Sequence, residues 1–229
     1  MTRIVVAIDG PAGAGKSTVS RRLAQALNYR YIDTGAMYRV IGVLAAEQGI
    51  TLDDSAALAA LCDRTDIQFA EGDGQVRTLA NERDLSAAIR TPAAAQQASK
   101  VSAVSAVRER LVAKQRAMGA GGGVVIEGRD IGTVVFPDAP VKAFLDASPR
   151  ERARRRASEL SGGASPAEIE RMAREIAERD ARDRGRAHSP LRPADDALQL
   201  DTTRQTVDEV VATLCALVRS RTSTLASHS

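Results

Sequence analysis

Apolar residues gather first in Ile4-Val-Val-Ala-Ile8, an unbroken run too short for a helix, which predicts a fully buried strand. After a glycine-rich turn the apolar spacing becomes helical in Thr18-Val-Ser-Arg-Arg-Leu-Ala-Gln-Ala-Leu27, and a second short strand, Arg30-Tyr-Ile-Asp33, follows. Strand, helix, strand at this spacing predicts a parallel sheet with helices on both faces. Thr34 opens another helix through Met37, Val40, Ile41, Val43 and Leu44, ended by Gly49, and Ala56 to Cys62 reads as a short one.

From Asp66 the period shortens. Ile67-Gln-Phe-Ala70, Glu71-Gly-Asp-Gly74 and Val76-Arg-Thr-Leu79 predict a hairpin of small antiparallel strands, so residues 64–95 read as an insertion standing outside the parallel sheet. One long helix is expected from Ala93 to Met118, with Val101, Val104, Val107, Leu111 and Val112 as its apolar positions. Further strands are expected at Val124-Val-Ile126, Val141-Lys-Ala-Phe-Leu145 and Ala197-Leu-Gln-Leu200. Asp146 to Arg150 starts a helix carrying Arg150, Arg152, Arg154, Arg155 and Arg156. Ser161-Gly-Gly-Ala-Ser165 interrupts it, a charged helix runs from Pro166 to about Arg186, and Val207 to Val218 forms the closing helix. The expected organisation is a core of residues 1–63 and 96–219, the insertion at 64–95, helices within 150–186 that act as a short lid, and a Ser/Thr-rich tail at 220–229 with no reason to order.

The turn after the first strand carries the first chemistry. Gly10-Pro-Ala-Gly-Ala-Gly-Lys16-Ser17 fits G-x-x-x-x-G-K-[ST], between strand and helix where such a loop belongs. Its glycines let backbone N–H groups of Gly10, Pro11, Ala12, Gly13, Ala14 and Gly15 (proline excepted) surround a polyphosphate, with Thr18 in the first helical turn. Lys16 supplies a full charge toward the β- and γ-phosphates, and the Ser17 hydroxyl suits Mg²⁺. A nucleoside triphosphate is the expected ligand.

Composition narrows the partner. Among 229 residues, 32 basic against 29 acidic side chains leave a net charge of +3, and aromatics are 3% with no Trp. Interspersed charge and few stacking surfaces fit a small polyanion better than a nucleic acid. Cys62 and Cys215 lie far apart in apolar helical patterns and read as core thiols of a reducing compartment. With no leader-like start and no apolar run long enough for a bilayer, the expected location is cytoplasmic, with no membrane partner.

Several classes of phosphate-loop protein are excluded by what the sequence lacks. The only lysines are Lys16, Lys100, Lys114 and Lys142, none in an N-K-x-D base-reading motif. Leu160-Ser-Gly-Gly-Ala164 lacks the last polar residue of a transporter signature and reads as a hinge or lid tip. A small kinase remains, because transfer between two nucleotides needs arginines from several directions and exclusion of water. Arg39, Arg129 and Arg186 lie at strand or helix ends expected near the loop.

Asp33-Thr-Gly-Ala-Met-Tyr-Arg39, Asp84-Leu-Ser-Ala-Ala-Ile-Arg-Thr91, Val107-Arg-Glu109, Glu127-Gly-Arg-Asp-Ile-Gly-Thr133, Val135-Phe-Pro-Asp-Ala-Pro140 and Glu178-Arg-Asp-Ala-Arg-Asp-Arg-Gly-Arg-Ala187 together resemble the bacterial cytidylate kinases, from the first strand to about Arg219. The resemblance implies an α/β phosphate-loop fold of three layers with a parallel sheet, a small antiparallel insertion for the monophosphate and a short helical lid. It implies phosphoryl transfer from ATP to CMP or dCMP with Mg²⁺, by a monomer. Carried over by position, Ser99, Arg108 and Asp130 read cytosine, Arg39, Arg129 and Arg186 hold the acceptor phosphate, and Arg179 and Asp183 meet the sugar, with Thr34 and Tyr38 also lining the monophosphate. Lys16, Arg129 and Arg186 are the implied catalytic groups, and Arg154 and Arg155 the lid arginines for ATP. Glu127 stands where many relatives carry Asp, and Ala106 replaces a proline.

These roles agree with the chemistry of the base. Cytosine offers an amine donor with N3 and O2 as acceptors, so its reader needs a carboxylate and donors, and Asp130, Arg108 and Ser99 supply them. Asp33 could cap the helix it precedes or stand near Mg²⁺. His188 and His228 are not where a proton carrier would be needed. Two other readings stay open: another monophosphate kinase of the UMP/CMP kind, and an RNA-binding ATPase using the arginine-rich helix.

Overall fold

The structure is a computed structural model that describes residues 3–72, 75–158, 164–185 and 189–227. The chain divides into two compact units, residues 1–31 with 121–229, and residues 32–120. In the first, β1 (Val5–Asp9) leads through the glycine-rich loop into α1 (Lys16–Leu27). Strand β2 (Arg30–Asp33) begins in the first unit and ends in the second.

In the second unit, the Asp33 carboxylate accepts from the Ala36 N–H at 3.0 Å and so caps α2 (Thr34–Glu47). Asp54 likewise caps α3 (Ser55–Arg64). A small antiparallel sheet follows, in the order β3 (Ile67–Gly72), β4 (Gln75–Ala80), β5 (Arg83–Asp84). Such a sheet cannot bury itself. Its Ile67 and Ala80, with Leu85 beyond it, join a core with Met37, Val40 and Ile41 of α2 and Leu58 and Leu61 of α3. The compact unit is therefore wider than residues 64–95, because the flanking helices supply the insertion's core.

The single helix expected at Ala93–Met118 is two, α4 (Pro92–Val101) and α5 (Ser105–Gly119). Thr91 caps the first, with Pro92 at its opening position. The Ser102 hydroxyl then donates back to the Ser99 carbonyl at 2.9 Å, and Val104 turns extended at ψ 115°. Local side-chain hydrogen bonding of this kind competes with helix continuation. The periodicity alone concealed the break because Val101, Val107 and Leu111 are fully buried on both sides of it.

The chain returns to the first unit with β6 (Val124–Glu127), a π-helical turn at Ile131–Val135, and β7 (Val141–Asp146). After these come α6 (Pro149–Ser158), α7 (Pro166–Arg184), β8 (Leu198–Asp201) and α8 (Val207–Ala226). The five-stranded sheet has the order β2-β6-β1-β7-β8, and β1 pairs in parallel with β6 and β7. All four residues of β6 are buried, as a central parallel strand requires. Helix α1 buries Val19 and Leu23, and α8 buries Val210, Leu214, Cys215 and Val218.

The tail does not stop at Ser220. α8 continues to Ala226, and the hydroxyls of Thr222 and Thr224 donate to the carbonyls of Val218 and Ser220. No Gly or Pro stands between Val218 and Ser229 to end the helix, and such hydroxyls can satisfy themselves on the preceding turn. The expected hinge at Ser161–Ser165 falls largely outside the described residues, as do Arg186 and His188.

Candidate active site

Gly10 leaves β1 at φ +146°, with the backbone pressed against β7: a Cβ there would lie 2.0 Å from the Leu145 carbonyl oxygen. Only glycine fits. The loop closes at Gly15, which takes the left-handed conformation at φ +84° and caps α1. Lys16 is buried and its Nζ donates to the Pro11 carbonyl at 2.7 Å, so the ammonium curls over the loop. Ser17 and Thr18 stay exposed at the first turn of α1. A positive helix end, a lysine and free-standing hydroxyls make an anion site.

The loop is gripped by residues distant in sequence. Arg152, buried on α6, donates from Nη1 to the Ala12 carbonyl at 3.2 Å, from Nε to Ala147 at 2.9 Å, and pairs with Asp180 of α7 at 2.5 Å. Thr202, just past β8, reaches the Ala14 carbonyl at 3.2 Å. Arg155 donates to the Thr202 hydroxyl at 3.0 Å and to its carbonyl at 2.6 Å, with Nε on Glu151. Arg155 therefore stands at the rim of the loop, its Nη1 3.4 Å from where a side chain on Gly15 would begin. Arg154 instead points to solvent and bonds Glu151 twice. These bonds hold the Glu151 carboxyl below the usual range, the pair with Arg154 foremost.

A second cluster lies in the same unit. The buried Asp183 carboxylate faces two guanidinium groups, Arg129 at 3.6 Å and Arg179 at 4.0 Å. Both arginines remain about a quarter exposed and face the carboxylate at ion-pair rather than hydrogen-bond distance. Asp130 is buried next to Arg129. Glu127 is also buried and accepts from the Tyr31 hydroxyl.

In the second unit, the Arg108 guanidinium lies over the Tyr38 ring, 5.9 Å from its centroid, with Nη1 3.4 Å from the Ser102 carbonyl. Ser102 in turn bonds Ser99, so Tyr38, Ser99 and Arg108 form one connected patch. Thr34 is buried and Arg39 half-buried on the first two turns of α2. Asp33 is committed to its cap.

Sequence reasoning passed over four residues: Asp9, Arg152, Asp180 and Thr202. Asp9 had a signal, since it sits directly before Gly10. Its carboxylate is buried and accepts from the Ile131 and Gly132 N–H groups. Burial pushes its pKa up to about 6, the two amides pull it back, Asp130 adds to the rise and Lys16 opposes it. Arg152 was one of five arginines in its run, and nothing in the spacing set it apart.

The cytidylate kinase family model matches residues 6–220. This chain is a member of the cytidylate kinase family. The cytidylate kinase of Syntrophotalea carbinolica is 48% identical over 96% of this chain and 93% of its own length. That of Geobacter sulfurreducens is 48% identical over 95% and 94%, and that of Pectobacterium atrosepticum 46% over 94% and 96%. The family assignment makes the protein an enzyme that phosphorylates nucleoside monophosphates, with the phosphate loop and the parallel sheet that such kinases use. No helix of the described residues is long and apolar enough to cross a membrane.

Among the described residues no group of three or more acidic, His or Cys side chains is placed to hold a metal. A nucleotide-borne Mg²⁺ keeps several of its waters and takes few protein oxygens, so it does not call for such a cluster. The exposed Ser17 hydroxyl at the loop's end is the group that fits.

Proposed function

We propose that the protein transfers the terminal phosphoryl group of ATP to CMP or dCMP, giving ADP and CDP or dCDP, as a cytoplasmic monomer acting on free nucleotides. The observation that carries this reading is the pairing, within one unit, of a lysine-bearing phosphate loop with Arg129 and Arg179 oriented on the buried Asp183. Phosphoryl transfer asks mainly for positioning and charge stabilisation, and this arrangement supplies both.

On this reading Lys16 and the loop amides bind the donor's phosphates, and Arg155, anchored on Thr202, reaches them from the rim. Arg129, with Arg186, takes the acceptor phosphate, while Arg179 and Asp183 meet the sugar. Mg²⁺ held through Ser17 would neutralise charge on the donor phosphates. In the second unit, Arg39 adds to the phosphate contacts, and Ser99 and Arg108 offer donors to cytosine. Asp130 accepts from the cytosine amine, where the carbonyl of uracil would repel it.

The RNA-binding alternative is weakened by the state of the arginine-rich helix. Arg152, Arg154 and Arg155 are each engaged with carboxylates or carbonyls of their own chain, so that face is not a bare basic surface. The test is an ADP-release assay with CMP, dCMP, UMP, AMP and GMP as acceptors. CMP and dCMP should be turned over at least tenfold faster than the others; equal turnover of UMP would move the enzyme to the UMP/CMP kind, and RNA-stimulated ATP turnover would favour the binding protein.

A further inference from the structure

Asp9 ends β1 and bonds across the sheet. Its Oδ1 accepts from the Ile131 N–H at 2.8 Å and its Oδ2 from the Gly132 N–H at 2.7 Å. Those amides open the π-helical turn that immediately follows Arg129 and Asp130, and the Asp130 side chain gives that turn no cap. On the other side, Asp9 is followed directly by Gly10, whose backbone is locked against Leu145. One side chain thus joins the start of the phosphate loop to the turn that carries Arg129 and Asp130, 122 residues away.

The fit at the turn is close. A Cβ on Gly132 would lie 3.2 Å from Lys142 Cδ and 3.4 Å from Asp9 Oδ2, so the turn is seated directly on the carboxylate. A carboxylate presents two acceptor oxygens, one for each amide, which no neutral side chain of this size does. Holding it there has a cost, since burial opposes its ionisation and Asp130 adds to that, with only Lys16 and the amides in its favour.

We infer that Asp9 is a positioning residue for phosphoryl transfer: its two-pronged hold on Ile131 and Gly132 sets where Arg129 and Asp130 stand relative to the phosphate loop. The inference rests on the reading in which Arg129 and Asp130 serve the acceptor. Asp9 touches neither substrate in this scheme; it acts through the turn. A drift of about 1 Å in such groups can slow transfer about a hundredfold.

The experiment compares purified Asp9→Asn, Asp9→Glu, Arg129→Ala, Asp130→Asn and the unmodified enzyme. Asp9→Asn keeps the shape but turns an N–H donor toward an amide N–H. Its kcat with CMP should fall about ten- to a hundredfold. KM for CMP should rise more than KM for ATP, and the CMP/UMP ratio of kcat/KM should drop several-fold, with cooperative unfolding retained at pH 8. Kinetic constants and ratio within about twofold of the unmodified enzyme, in a folded variant, would overturn the inference. So would a lowered midpoint with unchanged kinetics of the folded fraction, which marks a structural cap. Should Asp9→Asn not fold, Asp9→Glu retains the charge and both acceptors but pushes the turn outward by one methylene. The same kinetic losses are expected, and unaltered kinetics again overturn the inference. If Arg129→Ala and Asp130→Asn also leave CMP turnover and selectivity intact, the acceptor reading itself fails; if they are impaired and the Asp9 variants are not, only the positioning role fails.

Discussion

Arg152 and Asp180 form an ion pair between α6 and α7 in which both side chains are almost wholly withdrawn from water. Because the same guanidinium also holds the Ala12 carbonyl, the pair fastens the phosphate loop to both helices. Removing one partner strands the other as a buried charge. Arg152→Ala should therefore cost about 3–5 kcal/mol of stability in urea unfolding. Replacing both together by apolar residues of similar volume should recover most of that loss, and a double variant no more stable than Arg152→Ala would refute this account of the pair.

Lys16→Ala should leave the fold in place, since the bond of the Lys16 ammonium to the Pro11 carbonyl stays within the loop and, on the proposed reading, the charge acts on the phosphates. The loss in the barrier should be on the order of 3 kcal/mol or more. Circular dichroism and kcat on the same sample decide it, and near-normal turnover in a folded variant would contradict the role given to this loop.

Base selectivity separates Asp130 from Arg39. Asp130→Asn presents an amide that can turn either way, so the CMP/UMP ratio of kcat/KM should fall by about 1–3 kcal/mol, roughly ten- to two-hundred-fold. Arg39→Ala should weaken every monophosphate alike, because a phosphate contact carries no base information. An unchanged ratio in Asp130→Asn would place cytosine recognition on other residues.

The pH dependence of stability should carry the mark of Asp9. Its folded pKa of about 6 lies above the ordinary value of 3.8, so its contribution is fully present below about pH 4 and is lost as pH rises through about 6. Asp9→Asn cannot ionise. Relative to the unmodified protein it should gain stability between about pH 4 and 6, by up to about 3 kcal/mol, and then level off. Urea midpoints of both proteins across this range test it; a difference that stays constant with pH would place the carboxylate in a more hydrated setting.

Much of the fold was legible because its signals are local. The run at Ile4–Ile8, the glycines before Lys16 and the alternation after Asp66 each report on a few neighbouring residues, and the structure places β1, the loop and the small sheet there. The break between α4 and α5 was not legible, because it turns on one serine hydroxyl bonding back to Ser99 in a stretch of uniform apolar spacing. Nor was the helical course beyond Ser220, where composition suggested disorder but α8 continues with the Thr222 and Thr224 hydroxyls bonded back to the preceding turn. In the site, Lys16 and the arginines of the Glu127 and Glu178 segments were visible as motifs. Arg152 and Thr202 were not, since what distinguishes them is contact with loop carbonyls 140 and 188 residues away.

The grip of Thr202 and Arg152 on the loop also settles which way two peptide planes face. The Thr202 hydroxyl has two carbonyls within reach, Ala14 at 3.2 Å and Asp146 at 3.0 Å, so the Ala14 oxygen faces Thr202. In a trans peptide the N–H points opposite to the C=O. With the Ala14 and Ala12 carbonyls tethered toward Thr202 and Arg152, the amides of Gly15 and Gly13 are turned the other way. Two side chains that need never meet a phosphate thus aim two of the dipoles that would bind one.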